Sequence, residues 1–297
     1  MATAFCPAHI TGFFKAELDK KDSKQLGSLG AGFSIQKGVK TTVTIRNKTK
    51  HDISNFTIKV NGFESGDMRV SEVVLSKFPT KEKFVDVIHE IDVPVGYGFG
   101  SSAAVALSLA IALNDALECK LSKIKVAQIA HDVEIECKTG LGDVLASYYG
   151  GFEIRDKPGA PGIGHVQKIT LNKISIIMIC FSPISTSKFI KERLPRINGL
   201  GGKMVNKLLE SKNYEHFQEM SLEFAKYVDV MTPRMQKVVN ELSKNNIKCG
   251  IALFGETIFS MIPKEKENKV LEILEKYSDG IIIKSELDDA GARVLYN

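Results

Sequence analysis

Three glycines at every second position, Gly96, Gly98 and Gly100, run into Ser101-Ser102-Ala103-Ala104 and then into an apolar stretch from Val105 to Leu113. Upstream, Phe84 to Val93 alternates in the manner of a strand. The chain must therefore pass from a strand through a glycine loop into a buried helix. Glycine lets successive N–H groups crowd together with no Cβ in the way. The helix start adds unsatisfied donors and the positive end of a dipole. A loop of this kind is suited to hold phosphate.

Three phosphate loops can be compared with it. A Walker A loop needs Gly-Lys-Ser/Thr at the helix start, and no lysine stands here. A dinucleotide fingerprint has Glu118 at a suitable distance beyond the loop, but Gly100 stands two residues after Gly98 rather than three. The stretch from Pro94 to Ala104 resembles the signature Pro-x-x-x-Gly-Leu-Gly-Ser-Ser-Ala-Ala of the GHMP small-molecule kinases, with Phe99 in place of the leucine. That resemblance implies ATP as phosphate donor. It places the ATP phosphates against Pro94, Gly96, Gly98, Gly100, Ser101, Ser102 and Ala103.

With 297 residues the chain is long enough for a large core and two domains. The net charge of +5 suits an anionic substrate, but the lysines are scattered among acidic residues. No dense basic block points to nucleic acid. Cys6, Cys119, Cys137, Cys180 and Cys249 form no Cys-x-x-Cys pair and lie mostly in apolar runs, which reads as reduced thiols in a cytoplasm. No signal pattern opens the chain, and no apolar run reaches membrane-spanning length.

Residues 3–14 read as a strand broken by a turn. The GHMP kinases begin with a proline and a small residue before a lysine or arginine, whereas here Pro7-Ala8 is followed by His9. His9 is either a site residue or a packed one. Gly27 to Ser34 is a second glycine-rich segment, read as a turn that either brings Ser28 to a substrate or simply closes a hairpin. Residues 41–46 and 56–63 alternate as strands, and 68–78 form a short helix. Strands first and helices after give an α+β pattern.

Ser122 is an N-cap for a helix running to Cys137. His131, Glu134 and Lys138 share one face of it. Thr139-Gly140-Leu141-Gly142-Asp143 ends that helix and starts another element, so Glu134 and Asp143 can reach one point. By resemblance to the mevalonate-type GHMP kinases, Ser102 and Glu134 bind Mg²⁺ and Asp143 takes the proton of the substrate hydroxyl. Glu136 and Asp132 stand as alternative ligands. Arg155 follows on a strand and has the planar fork that matches a carboxylate with two parallel hydrogen bonds.

A second domain begins near Ile174. Ser182 to Ser187 is a hydroxyl-rich loop opening a helix, and Thr186 can face the substrate. Helices are expected over 187–195, 199–211, 214–231, 233–245 and 264–277, with a hairpin over 249–262 and a strand over 280–284. The third GHMP motif, normally a run of glycines, is reduced here to Gly250-Ile251-Ala252-Leu253-Phe254-Gly255. Asp288-Asp289 reads as a solvated pair.

Taken together, Pro7 to Phe14, Gly27 to Gly32 and Thr139 to Asp143 resemble the archaeal pantoate kinases, a GHMP branch in coenzyme A biosynthesis. The resemblance implies phosphorylation of pantoate to 4-phosphopantoate with ATP and Mg²⁺. Ser28, His131, Arg155 and Thr186 are then the substrate contacts and Asp143 the catalytic residue. It implies a ribosomal-protein-S5-domain-2-like N-terminal domain, set at residues 1–170, and a ferredoxin-like C-terminal domain, set at 171–297. A small-molecule partner, no nucleic acid and no membrane are expected, and a homodimer is left open. Another GHMP alcohol kinase and a non-catalytic ATP or metabolite sensor are the rival readings.

Overall fold

The structure, a computed structural model, describes residues 1–63 and 67–296. In chain order the strands are β1 (Ala2–Glu17), β2 (Gly27–Asn47), β3 (Phe56–Gly62), β4 (Lys83–Ile91), β5 (Phe152–Lys157), β6 (His165–Ile169), β7 (Ile174–Pro183), β8 (Gly250–Ala252), β9 (Gly255–Pro263), β10 (Ile281–Glu286) and β11 (Arg293–Leu295). The helices are α1 (Arg69–Ser76), α2 (Ser101–Ala116), α3 (Lys123–Cys137), α4 (Asp143–Tyr149), α5 (Thr186–Ser211), α6 (Tyr214–Tyr227), α7 (Pro233–Lys244) and α8 (Glu267–Leu274). The α+β expectation is borne out.

Two sheets carry the fold. The first runs β11-β1-β2-β4-β3, with β5 paired to β2 and β6 to β5. The second is antiparallel in the order β10-β7-β9-β8. Counted within the C-terminal half, that order is 4-1-3-2, the arrangement of a ferredoxin-like sheet. The last strand leaves this half and pairs with β1, Thr3 opposite Leu295, which the sequence reading did not foresee.

β1 is one continuous strand rather than a strand broken by a turn. It absorbs its irregularity as register shifts at Pro7/Ala8 and Thr11/Phe13. Proline has no N–H to give to a ladder, so a shift beside Pro7 suits it. The glycine-rich segment from Gly27 is also not a turn; it is the first third of β2. Its glycines clear space on the sheet face. A Cβ at Gly30 would fall 2.6 Å from Arg155 Nη2, and one at Gly32 would fall 2.4 Å from His9 Nε2. Two long buried side chains lie where neighbouring residues would otherwise project.

The helices expected over 187–195 and 199–211 are one helix, α5, which continues through Pro195. Tertiary contacts override the local breakers. Ile197, Met204, Val205 and Leu208 are buried, and Asn198 exchanges two hydrogen bonds with the Ala16 backbone at the end of β1. Asp288 is not solvated but 4% exposed; it accepts from Gly291 N–H at 2.8 Å and from Arg293 at 2.9 Å. Among the described residues no helix is long and apolar enough to cross a membrane.

Five phenylalanines join the sheets. Phe217 of α6 lies 5.8 Å from Phe13, 6.1 Å from Phe33, 5.1 Å from Phe152 and 5.7 Å from Phe259, centroid to centroid. These rings come from β1, β2, β5 and β9, so a single side chain contacts both sheets. We predict that Phe217→Ala lowers stability by about 3–5 kcal/mol. The check is the midpoint of urea unfolding; a shift smaller than roughly 1 kcal/mol would show that the sheets do not depend on this contact.

Candidate active site

β4 delivers the chain to Pro94, and the glycine loop turns it into α2. Gly96, Gly98 and Gly100 have φ of +84°, +85° and +56°, the left-handed region that favours glycine. The loop carbonyls are tied to the protein. Gly96 O accepts from Ile184 N–H at 2.9 Å, Phe99 O from His9 N–H at 3.0 Å, and Tyr97 O from Thr257 Oγ1 at 2.8 Å. Ala104 N–H closes the first bond of α2, on Gly100 O, so the N–H groups of Ser101 to Ala103 precede the helical ladder. Gly100 caps the helix without a side-chain bond. A loop of this geometry can hold an anion on backbone N–H groups alone.

A cavity of about 550 Å³ opens over the loop. Gly96, Gly98, Gly100, Ser101 and Ser102 line it, with Lys138, Thr139, Asp143, Thr186 and Phe254 opposite. Pro94 and Ala103, also expected at the phosphates, are buried behind the loop and do not line the cavity. The residual third glycine segment backs the loop from the second sheet. Leu253 O would lie 2.3 Å from a Cβ at Gly98, and Tyr97 leaves no room for one at Gly255. Phe254, between them, takes φ +67°, uncommon for a bulky residue, and faces the cavity.

Glu134 and Asp143 do converge. Glu134 is 2% exposed; its Oε1 accepts from Thr139 Oγ1 at 2.5 Å and its Oε2 from Ser102 Oγ at 3.3 Å. Burial pushes its carboxyl up to about 7, the Thr139 bond opposes this, and the Asp143 charge adds to it. A Cβ at Gly140 would lie 2.1 Å from Glu134 Oε2 and 3.3 Å from Asp143 Oδ2, so the two carboxylates flank this glycine. The other candidate ligands are engaged elsewhere. Glu136 pairs with Lys77 at 2.7 Å; Asp132 accepts from Ser23 Oγ at 2.6 Å and pairs with Lys24 at 3.3 Å.

Asp143 is the first residue of α4, and its Oδ1 lies 2.8 Å from His9 Nδ1. Burial would raise its pKa, but the His9 hydrogen bond and charge, with Arg155, hold it below the ordinary carboxylate value. His9 Nε2 lies 3.0 Å from Glu153 Oε1. Arg155 donates to the same oxygen from Nη1 and, at 3.5 Å, to Thr11 Oγ1 from Nη2. Arg155 Nε is buried with no hydrogen-bond partner among the described residues.

A small pocket adjoins the cavity. It is lined by Ser28, Gly142, Arg155 and Ile190, and it shares Thr11, Asp143, Thr186 and Phe254 with the cavity. Three of the four expected substrate contacts, Ser28, Arg155 and Thr186, are thus brought together beside Asp143. His131 is not. It is 1% exposed, lines neither space, and donates from Nε2 to the Ser23 carbonyl at 3.2 Å, under a 3₁₀ turn over Ser23–Gln25. It shares a helix face with Glu134, but the 3₁₀ turn before β2 covers that end. The sequence reading missed Glu153, Thr11 and Phe254 and left His9 undecided. The available signal was period-two alternation, which puts His9 with Thr11 and Glu153 with Arg155 on common strand faces. It could not show that the two strands meet across β2.

Residues 68–151 match the family described as "GHMP kinases N terminal domain". A pantoate kinase of Methanocaldococcus jannaschii is 34% identical over 277 residues, covering 91% of this chain and 96% of the relative. One of Thermococcus kodakarensis is 29% identical over 275 residues, 91% of each. Among solved structures, a "phosphotransferase related to CoA biosynthesis pathway" superposes with a TM-score of 0.88 at 28% identity, covering 98% of this chain and 97% of that one.

If the glycine loop holds phosphate, Gly98→Ala should weaken ATP binding at least roughly tenfold with the fold retained. Titration calorimetry with circular dichroism as control decides this; unchanged affinity would remove the loop from the site.

Proposed function

The chain belongs to the pantoate kinase family of the GHMP kinases, and from that premise we propose that it transfers the γ-phosphoryl group of ATP to the primary hydroxyl of pantoate. The products are 4-phosphopantoate and ADP, on the route to coenzyme A. The observation that carries this reading is the position of Asp143, a carboxylate in the wall shared by the phosphate cavity and the small pocket.

Phosphoryl transfer asks mainly for positioning and charge neutralisation. The N–H groups of the loop and of the first turn of α2 would hold the phosphates. Pantoate is a small hydroxy acid and needs a cation for its carboxylate. Arg155 has Nη1 committed to Glu153. The edge formed by Nε and Nη2 would therefore meet the carboxylate side-on, with Ser28 and Thr186 hydroxyls supplying further hydrogen bonds. Asp143 would accept the proton of the primary hydroxyl as that oxygen bonds to phosphorus and ADP departs.

The residues present fit Mg²⁺. Glu134 is a buried carboxylate with no ion pair among the described residues, and with Ser102 it offers hard oxygen donors beside the glycine loop. Among the described residues no cluster of three or more His, Cys, Asp or Glu is arranged around a metal. Mg²⁺ commonly takes one or two protein ligands and completes its shell with phosphate oxygens and water. Bound there, it would neutralise charge on the phosphates. The five cysteines are all unpaired, which supports a reducing, cytoplasmic location.

The test is ADP release with ATP and Mg²⁺, comparing pantoate with mevalonate, homoserine and pantothenate. Turnover on pantoate alone is expected; turnover on another alcohol would reject the substrate. We further predict that Asp143→Ala lowers kcat by about 10²- to 10⁴-fold while pantoate affinity changes only a few-fold. Equal loss in both would count against a proton-accepting role.

A further inference from the structure

We infer that His9 is a positioning residue for the reaction: its ring, wedged between Asp143 and Glu153, holds one carboxylate oxygen of Asp143 and leaves the other for the acceptor hydroxyl. The inference rests on the kinase reading, in which Asp143 accepts the acceptor's proton.

The geometry specifies the charge of the ring. Nδ1 lies 2.8 Å from Asp143 Oδ1 and Nε2 lies 3.0 Å from Glu153 Oε1. A neutral imidazole has one bare lone pair, which would then face a carboxylate oxygen; the imidazolium donates on both sides. The ring is fully buried and fits only because Gly32 has no side chain. His9 also fastens the phosphate loop, through its backbone N–H on Phe99 O at 3.0 Å. One residue therefore ties the proton acceptor to the phosphate site by two separate bonds.

The charges facing the ring come from two elements. Asp143 stands on α4, and Glu153 and Arg155 stand on β5. The Thr11 hydroxyl, on β1 itself, lies 3.4 Å from Nδ1. Glu134 on α3 acts on Asp143 through space. Within the network two cations balance two carboxylates. Loss of the ring's charge would leave a net negative charge where ATP must bring more. It would also loosen Asp143, since Oδ1 would keep only the longer 3.4 Å bond from Thr11 Oγ1. With Oδ1 occupied, the proton leaving the acceptor oxygen passes to Oδ2 as the O–P bond forms and the bond to ADP breaks.

Burial works against the His9 cation, but the bonds to Asp143 and Glu153 hold its pKa above the ordinary histidine value. The sign follows. A folded-state pKa above the unfolded one adds stability that is complete below about 6.5 and is lost as pH climbs through the raised value. Removing the Glu153 charge should bring that upper limit down.

The experiment measures kcat and KM for pantoate against pH in the wild type, His9→Gln and Glu153→Gln, alongside ¹⁵N NMR of the histidine rings. His9→Gln is expected to lower kcat about 100-fold with KM changed only a few-fold. In Glu153→Gln, whose side chain lines neither cavity, the basic limb of kcat should move to lower pH by about one unit or more. In the wild type the His9 resonances should stay doubly protonated at pH 7. His9→Gln activity within threefold of wild type would overturn the proposal. So would a basic limb unmoved in Glu153→Gln, or a neutral ring at pH 7. If His9→Gln does not fold, the Glu153 profile and the wild-type spectrum decide. A wild type that turns over a different alcohol rejects only the substrate, and the same ratios are then read on that alcohol.

Discussion

Taking a charge out of water costs several kcal/mol unless it is paired and hydrogen-bonded, and this chain sets four charged groups in one network. Arg155, Glu153 and His9 are each within 1% of full burial, and the Asp143 side chain keeps 15% exposure at the cavity edge. They bond mainly to one another, and the Thr11 hydroxyl of β1 joins Arg155 and Asp143, so their elements cannot shift independently. β1 supplies His9, β5 supplies Glu153 and Arg155, α4 supplies Asp143, and β2 lies between with glycines where side chains would collide. A buried pair is weak evidence for stability, since an apolar replacement could pack as well. What the network provides is placement: one carboxylate oriented at the rim of the cavity over the glycine loop.

The glycine loop depends on the same frame from the other side. It turns through three positive-φ glycines, and its carbonyls are held by β1, by the chain leaving β7 and by β9. Both sheets therefore hold one loop. The phenylalanine cluster around Phe217 keeps those sheets at a fixed spacing. The turn at Phe254 then closes the cavity, in a backbone conformation that a bulky side chain rarely takes. Strain at that turn is offset by the core between the sheets.

Local chemistry made some of the site legible. Gly96, Gly98 and Gly100 announce themselves because few other residues accept those torsions; the Ser122 cap marks where α3 begins, and the Thr139–Asp143 turn where α3 ends and α4 begins. Local chemistry also misled where packing overrode it. The glycines from Gly27 to Gly32 look like a turn because turns are where glycine is commonest; here they make room for His9 and Arg155. Pro195 and the glycines after it look like a helix break, yet α5 continues because its buried face lies against β1. His131 shares a helix face with Glu134, but which part of that face borders the cavity depends on what covers it.

The sequence by itself determined the glycine loop, the helix carrying Glu134, the position of Asp143 and membership of the α+β class, because each rests on short-range backbone and side-chain preferences. Only the tertiary structure decided that His9 meets Asp143 across 134 residues and Glu153 across 144. It also decided that β11 returns to β1, that Phe254 lines the cavity, and that Arg155 and Ser28 line the pocket beside Asp143. Those pairings depend on strand register and on volumes cleared by residues remote in the chain. No periodicity along a single segment encodes them.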